Sequence, residues 1–305
     1  MALVGPTASG KSALALEVAR RLPGPPVELV SVDSMQVYRG MDIGTAKPSA
    51  AERAEVRHHL IDLVDPAEDF SLARFQAEAA AAVADIETRG GRALLVGGTG
   101  LYLRAVVDGL SVPGSWPGIR AALEADPDTA ALHRRLAELD PAAAARMTPG
   151  NRRRVVRALE VTIGSGRPFS SYGSGLASYG PTRFAMAGVW LPRPVVAARI
   201  RARVAAMVAG GLVAETAALA ARPGGLSRTA AQALGYREVL ASLSGGPALD
   251  EAVELTVRRT RSFARRQRVW FRRDPRIAWY GAVDNPLAVL PALLGDWSSP
   301  CPEPL

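Results

Sequence analysis

The sequence predicts an α/β fold, a P-loop parallel-sheet core with an inserted all-helical subdomain. Three observations carry that prediction. A phosphate-loop signature stands near residue 5, short apolar runs alternate with amphipathic helical stretches on both sides of the chain's middle, and the middle itself is Ala-, Leu- and Arg-rich with no β-rich run. The predicted boundaries are a core of 1–114 and 181–305 and an insertion of 115–180.

The signature is Gly5-Pro6-Thr7-Ala8-Ser9-Gly10-Lys11-Ser12, which matches G-x-x-x-x-G-K-[ST]. Consecutive backbone N–H groups in such a loop form a concave anion site. The helix that follows adds its positive N-terminal end. Lys11 is placed to reach the outer phosphate and Ser12 to offer a hydroxyl to Mg²⁺. Ala2-Leu3-Val4 can end a buried strand, and Leu14, Leu16, Val18, Ala19 and Leu22 give the next segment an apolar face. A Gly-rich turn that binds nothing is the alternative, and the strand–loop–helix context argues against it. The loop specifies a diphosphate or polyphosphate, not a reaction.

Composition narrows the class. The chain has 305 residues, 48% of them apolar, so global disorder is excluded. No run approaches the roughly 18 uninterrupted apolar residues of a membrane span. The early loop leaves no length for a signal peptide, and the short first strand implies missing upstream residues. One cysteine, Cys301, rules out a disulfide framework or a cysteine zinc site within the chain, which fits a cytoplasmic compartment. A formal charge of +8 suggests a polyanionic partner, a solubilising surface being the alternative. Of 37 basic residues only Lys11 and Lys47 are lysine. Arginine serves wherever either would do, so Lys47 is expected where a compact point charge is required.

Val27 to Val32 reads as a second buried strand ending in Asp33-Ser34-Met35-Gln36. An acidic residue there faces the ligand crevice of an open α/β sheet, or caps the next helix. His58 to Leu63 reads as a third strand. Its adjacent histidines point to opposite faces, which favours structural hydrogen bonding over a shared metal. Ser71 can cap a helix to Arg89 with Phe75, Ala79, Val83 and Ile86 on one side. Ala93 to Val96 is a short parallel strand opening into Gly97-Gly98-Thr99-Gly100, a close backbone approach to a ligand or an ordinary strand-to-helix turn. Three strand ends thus carry ligand-type loops, and one shared crevice is predicted.

Pro113, Gly114, Pro117 and Gly118 mark the boundary to the helical insertion, where Asn151 can cap a helix carrying Arg152, Arg153, Arg154 and Arg157. Strand character returns from Arg183 to Leu191, and 194–221 reads as a long helical stretch containing Arg199, Arg201 and Arg203. From 258 to 273 a helix places Arg258, Arg261, Arg265, Arg268 and Arg272 on one side, with Phe263, Ala264, Trp270 and Phe271 on the other. That row suits a nucleic-acid backbone, with a membrane surface as runner-up. Ile277 to Tyr280 forms a last strand before a loose Pro-containing tail.

At this point the chain resembles the tRNA dimethylallyltransferases, through Gly5–Ser12, Asp33–Gln36 with the run to Pro48, His58–Asp62, Gly97–Tyr102, Arg153–Glu160, Gly235–Arg237 and Arg265–Arg272. The stretch from Asp33 to Pro48 is the most specific. The resemblance implies transfer of a dimethylallyl group from dimethylallyl diphosphate to N6 of the adenosine 3′ of the tRNA anticodon. It implies a P-loop that holds the diphosphate through Gly5, Pro6, Thr7, Ala8, Ser9, Gly10, Lys11 and Ser12, with Mg²⁺ at Ser12. Asp33 would be the base for the N6 proton, oriented with the adenine by Ser34 and Gln36. Arg203 matches an arginine tied to activity, Thr99 a position that contacts the substrate nucleotide, and Arg120 a further tRNA contact. With Met35, Arg153, Arg154, Arg157, Arg237, Arg265 and Arg268 these make the implied tRNA-binding set. Asn151–Arg157 departs from members that have Gln-Arg there but stays basic. The implied protein is a cytoplasmic monomer that binds an anticodon stem-loop and no membrane.

Three rival readings stand beside it. A P-loop kinase of a small metabolite would leave the C-terminal arginine row unexplained. A prenyltransferase of free adenine nucleotides would not need the basic insertion. A non-catalytic RNA-binding protein would not need intact Lys11, Ser12 and Asp33.

Overall fold

The computed structural model describes residues 1–173, 176 and 178–298. Cys301 and the Pro-containing tail lie outside them. The chain divides into two compact units, 1–107 with 181–305, and 108–180. The insertion therefore starts at Asp108 rather than at 115.

The larger unit is built on six parallel strands, β1 (Ala2–Val4), β2 (Val27–Val32), β3 (His58–His59), β4 (Arg92–Gly97), β5 (Met186–Trp190) and β6 (Ile277–Gly281). Their order is β3-β2-β4-β1-β5-β6. Side chains alternate across the sheet. Leu3, Leu29 and Leu94 go to one face with Leu14, Leu16 and Val18 of α1 (Lys11–Arg21). Val4, Val30 and Leu95 go to the other, against Phe75, Ala79, Val83 and Ile86 of α3 (Leu72–Thr88). Both faces are covered, which is why the strands read as continuous apolar runs. Between α1 and α3 lies the short α2 (Ala50–Glu55), held by a capping box from Ser49 and Glu52. Ser71 Oγ accepts from Arg74 N–H and caps α3 as predicted.

Register decides where the loops leave the sheet. Val4 pairs with Gly97, and Gly97 pairs with Val32. The loops after β1, β4 and β2 thus exit from one line at the C-terminal edge, where open parallel sheets bind ligands.

The predicted third strand, 58–63, is only His58–His59. Leu60 and Asp62 adopt left-handed backbone conformations, with φ of 63° and 60°, that no strand accommodates. His59 Nε2 meets Glu28 Oε2 at 2.6 Å and His58 Nδ1 meets Val56 O at 2.6 Å, the structural bonding expected of the pair. After α4 (Gly100–Val107) the chain enters the smaller unit. There α5 (Pro117–Ala125), α6 (Thr129–Leu139), α7 (Pro141–Ala145) and α8 (Arg152–Ser165) enclose Leu123, Leu132, Leu136, Val155, Val156 and Leu159. Asn151 Oδ1 accepts from Arg154 N–H and caps α8. Buried Glu160 accepts from Ser115 Oγ–H and Trp116 N–H and pairs with Arg157.

Back in the larger unit, the predicted helical stretch over 194–221 is two helices. A Gly210-Gly211 turn separates α9 (Arg193–Ala209) from α10 (Leu212–Ala220), because Gly211 takes a φ of 102°. Then follow α11 (Tyr236–Leu243), α12 (Leu249–Phe271) and, after β6, α13 (Leu290–Ser298). Buried Val196, Ile200 and Val204 of α9 share a cluster with Val257 and Ala264 of α12 and with Ala8 of the P-loop. No single helix among the described residues is long and apolar enough to cross a membrane.

Candidate active site

The phosphate loop is bent into shape by its own backbone. Ala8 and Gly10 take left-handed conformations, with φ of 62° and 84°, which turn successive amides to one side. Ser9 Oγ is buried and has no hydrogen-bond partner among the described residues, so the loop keeps an unspent donor. Lys11 opens α1 and Ser12 follows it, exposed.

Three charges converge on the loop. Burial drives the Lys11 pKa down to about 8, Asp33 opposes the shift, and Arg203 adds to it. Arg203, on α9, is itself held below its usual range by burial and by Arg199, with Asp33 acting the other way. Its Nη1–H donates to Thr7 Oγ1 at 3.3 Å, and Arg199 Nε–H donates to Ala8 O at 3.1 Å. Lys11, Asp33 and Arg203 are therefore mutual electrostatic neighbours, although 22 and 170 residues of chain separate them. A buried ammonium beside a second cation is a poor arrangement without an anion. A bound diphosphate would relieve it.

Half-buried Asp33 directly follows β2. Its Oδ1 accepts from Met35 N–H at 2.9 Å, which fixes the carboxylate's orientation. Thr99 Oγ1 accepts from Ser34 N–H at 3.4 Å and joins the two strand-end loops. Gln36 differs from expectation. Its Oε1 accepts from Ser31 Oγ–H and its Nε2 donates to the carbonyls of Thr45 and Ala46, so both amide ends hold the following loop rather than the base.

That following loop is pinned from two sides. Lys47, its side chain 1% exposed, donates to Tyr38 O, Asp42 Oδ1 and Asp62 Oδ1 at 2.6–2.7 Å. Three acceptors around one small ammonium are what a guanidinium cannot satisfy, which accounts for the lysine. Glu215 on α10 accepts from the N–H groups of Asp42, Ile43 and Gly44 and from Tyr236 O–H. Burial and then that carboxylate push the Tyr236 phenol far above its usual range.

The arginines sort by environment. Arg153 and Arg154 on α8 and Arg265 on α12 are exposed. Arg268 lies 5.3 Å over the Trp190 ring. Arg120, Arg157 and Arg237 are half-buried and paired with Glu124, Glu160 and Glu238. On α12 the buried stripe runs through Thr256, Val257, Ala264, Gln267 and Phe271. Phe263, expected to dock the helix, is half-buried instead and carries Arg266 at 5.8 Å.

Gln267, Glu215 and Arg199 are residues to which sequence reasoning gives no role at the site. Gln267 had a local signal, a polar side chain in an otherwise apolar stripe. Glu215 and Arg199 had none, because their partners lie about 170 or more residues away.

Among the described residues no three His, Cys, Asp or Glu side chains are grouped to hold a metal ion. A divalent cation here would draw its oxygens from Ser12, the diphosphate and water, the habit of Mg²⁺.

The chain belongs to the IPP transferase family, whose model matches residues 36–274. It is 53% identical over 291 residues to the tRNA dimethylallyltransferase of Kineococcus radiotolerans, covering 93% of this chain and 91% of that one. The crystal structure of the tRNA isopentenylpyrophosphate transferase of Bacillus halodurans superposes with a TM-score of 0.71 at 39% identity, over 97% of this chain and 94% of that one. A eukaryotic dimethylallyltransferase acting on tRNA gives a TM-score of 0.76 at 26% identity, over 93% and 73%.

The lowered Lys11 pKa has a measurable consequence. With the amine neutral above pH of about 8, inorganic pyrophosphate affinity falls as pH rises through that value, and binding at pH 8.5 takes up a proton at Lys11. Calorimetry in buffers of differing ionisation enthalpy measures the uptake. Subtracting the Lys11→Met variant removes the ligand's own titration, and the remaining uptake is expected to reach at most about three-quarters of a proton.

Proposed function

We propose that this enzyme transfers the dimethylallyl group of dimethylallyl diphosphate to N6 of the adenosine 3′ of a tRNA anticodon. The observation that carries the reading is that Lys11 beyond β1, Asp33 beyond β2 and Arg203 of α9 are electrostatic neighbours at the edge where β1, β2 and β4 end level.

Breaking the allylic C1–O bond leaves positive charge on carbon and adds negative charge to the departing oxygen. Lys11, Arg203 and the loop amides are preorganised for that oxygen. Mg²⁺, when bound at Ser12, would supply further positive charge to the leaving diphosphate. An exocyclic amine conjugated with a purine is a weak nucleophile, so its proton must leave as the N6–C1 bond forms. Asp33, with Oδ1 already engaged by Met35 N–H, offers Oδ2 as the acceptor. Thr99, joined to the backbone of Ser34, is the neighbour suited to orient the nucleotide.

An adenine stacked in an anticodon loop is out of reach, so the enzyme must draw it out. That costs stacking energy, and contacts to the RNA backbone must offset it. Exposed Arg153 and Arg154 on α8, and exposed Arg265 with Arg268 on α12, supply the charge. Arg120, Arg157 and Arg237 would have to exchange an internal carboxylate for a phosphate. The reading includes a monomer acting in the cytosol, where tRNA is found.

Mass spectrometry after incubation with dimethylallyl diphosphate and an anticodon stem-loop tests the reading. A dimethylallyl mass gain on the RNA is expected. Phosphate transfer from ATP to a small acceptor would favour the kinase, and prenylation of AMP but not RNA would favour a free-nucleotide enzyme. Asp33→Ala is expected to lower turnover by about 10²–10⁴-fold with tRNA affinity nearly intact; unchanged turnover removes Asp33 as the base. Replacing Arg265 and Arg268 together is expected to weaken tRNA binding and lower the slope of log K against log salt by about one to two. An unchanged slope takes that face of α12 out of the RNA interface.

A further inference from the structure

Gln267 reaches both sides of the site at once. Its Oε1 accepts from Thr7 N–H in the phosphate loop at 2.8 Å, and its Nε2 donates to Gly98 O at 2.9 Å. The residue is 7% exposed. An amide carries its donor and its acceptor at a fixed separation, so it sets the spacing of the two backbone groups it joins. The loop after β4 is also pressed against α12. A Cβ on Gly98 would lie 2.3 Å from Gln267 Nε2, and one on Gly100 would lie 2.1 Å from Trp270 Nε1. These two contacts are three residues apart on α12, one helical turn, and they leave the loop no second height. From the other side Arg203 holds the Thr7 hydroxyl. Thr7 N–H is thus committed to α12, and the phosphate loop is braced between α9 and α12.

We infer that Gln267 is a positioning residue that fixes the gap between the diphosphate loop and the Gly97–Thr99 loop, and hence between the allylic carbon and the adenine amine, while touching neither reactant. The inference rests on the function proposed above. Each reactant binds through its own loop, so its affinity does not need the bridge. Bond formation needs both loops at once. Reacting atoms must come to about 3–3.5 Å, and a drift of about 1 Å costs on the order of 10²-fold in rate.

The test uses the full chain with Gln267→Met and Gln267→Glu. Methionine keeps the length and removes both hydrogen bonds. Glutamate keeps the shape and the acceptor for Thr7 N–H, but sets a second acceptor against Gly98 O. It therefore tests the bridge even if the methionine variant does not fold. The measurements are kcat and KM for dimethylallyl diphosphate at saturating stem-loop, Kd for the stem-loop, and Tm. The expected result is a fall in kcat of about 10–100-fold, with KM and Kd within about threefold of the parent. For Gln267→Glu, kcat relative to the parent is expected to recover as pH is lowered, because the protonated acid restores a donor to Gly98 O. Activity within twofold of the parent overturns the inference, as does a loss carried by KM with kcat held. A parent that prenylates no RNA overturns the functional reading and this inference with it.

Discussion

The structure depends on the parallel register that sets Val4 beside Gly97 and Gly97 beside Val32. The strands involved are three to six residues long, so the ladder alone is slight. What holds the register is burial on both faces. A slip of one residue would carry Leu3, Leu29 and Leu94 to the wrong side of the sheet and strand the apolar faces of α1 and α3. Because the three strands end level, the phosphate loop, the Asp33 turn and the Gly97–Thr99 turn leave the sheet along one edge.

Behind that edge stands a layer of buried or half-buried polar side chains, each joining separate stretches of the chain. Gln267 joins Thr7 to Gly98, Lys47 joins Tyr38 to Asp42 and Asp62, and Glu215 gathers the amides of 42–44. Removing such groups from water is unfavourable unless every bond is made, so each spans its gap in one geometry only. Loops with few apolar contacts of their own are thereby given the fixity of the sheet. Arg203 belongs to the same layer through Thr7 but keeps its charge directed at the anion.

How much of this the sequence disclosed follows from the range of each interaction. The phosphate loop, the Ser71 and Asn151 caps and the apolar strands are set by neighbours a few residues away, and all were legible. Asp33 was legible because a carboxylate at a strand end next to a P-loop has few places to face. The third strand was over-extended because an apolar run does not announce the left-handed turns at Leu60 and Asp62. The break in the helical stretch over 194–221 was not legible because its apolar character continues across the Gly-Gly pair. The bridges from Gln267, Glu215 and Arg199 are fixed by tertiary packing over roughly 170 to 260 positions; a polar break in an apolar stripe marks Gln267 without naming its partners, and no local pattern records the other two. The division of the arginines into exposed and ion-paired sets was hidden for a different reason: the partners are one to four residues away, and a carboxylate four residues off, as at Arg120, is indistinguishable in sequence from a solvated face.

The Gly210-Gly211 turn lets one stretch of chain serve two loops. Upstream, Arg199 and Arg203 grip the phosphate loop; downstream, Glu215 grips residues 42–44. A helix advances about 100° per residue. One residue inserted into or deleted from the first turn of α10, between Leu212 and Glu215, would swing the Glu215 carboxylate about a quarter of the way round the helix axis, off all three amides together. The count of residues between the two grips is accordingly under tighter restraint than their identity: the segment works as a measured spacer, tolerant in its lettering and intolerant in its length.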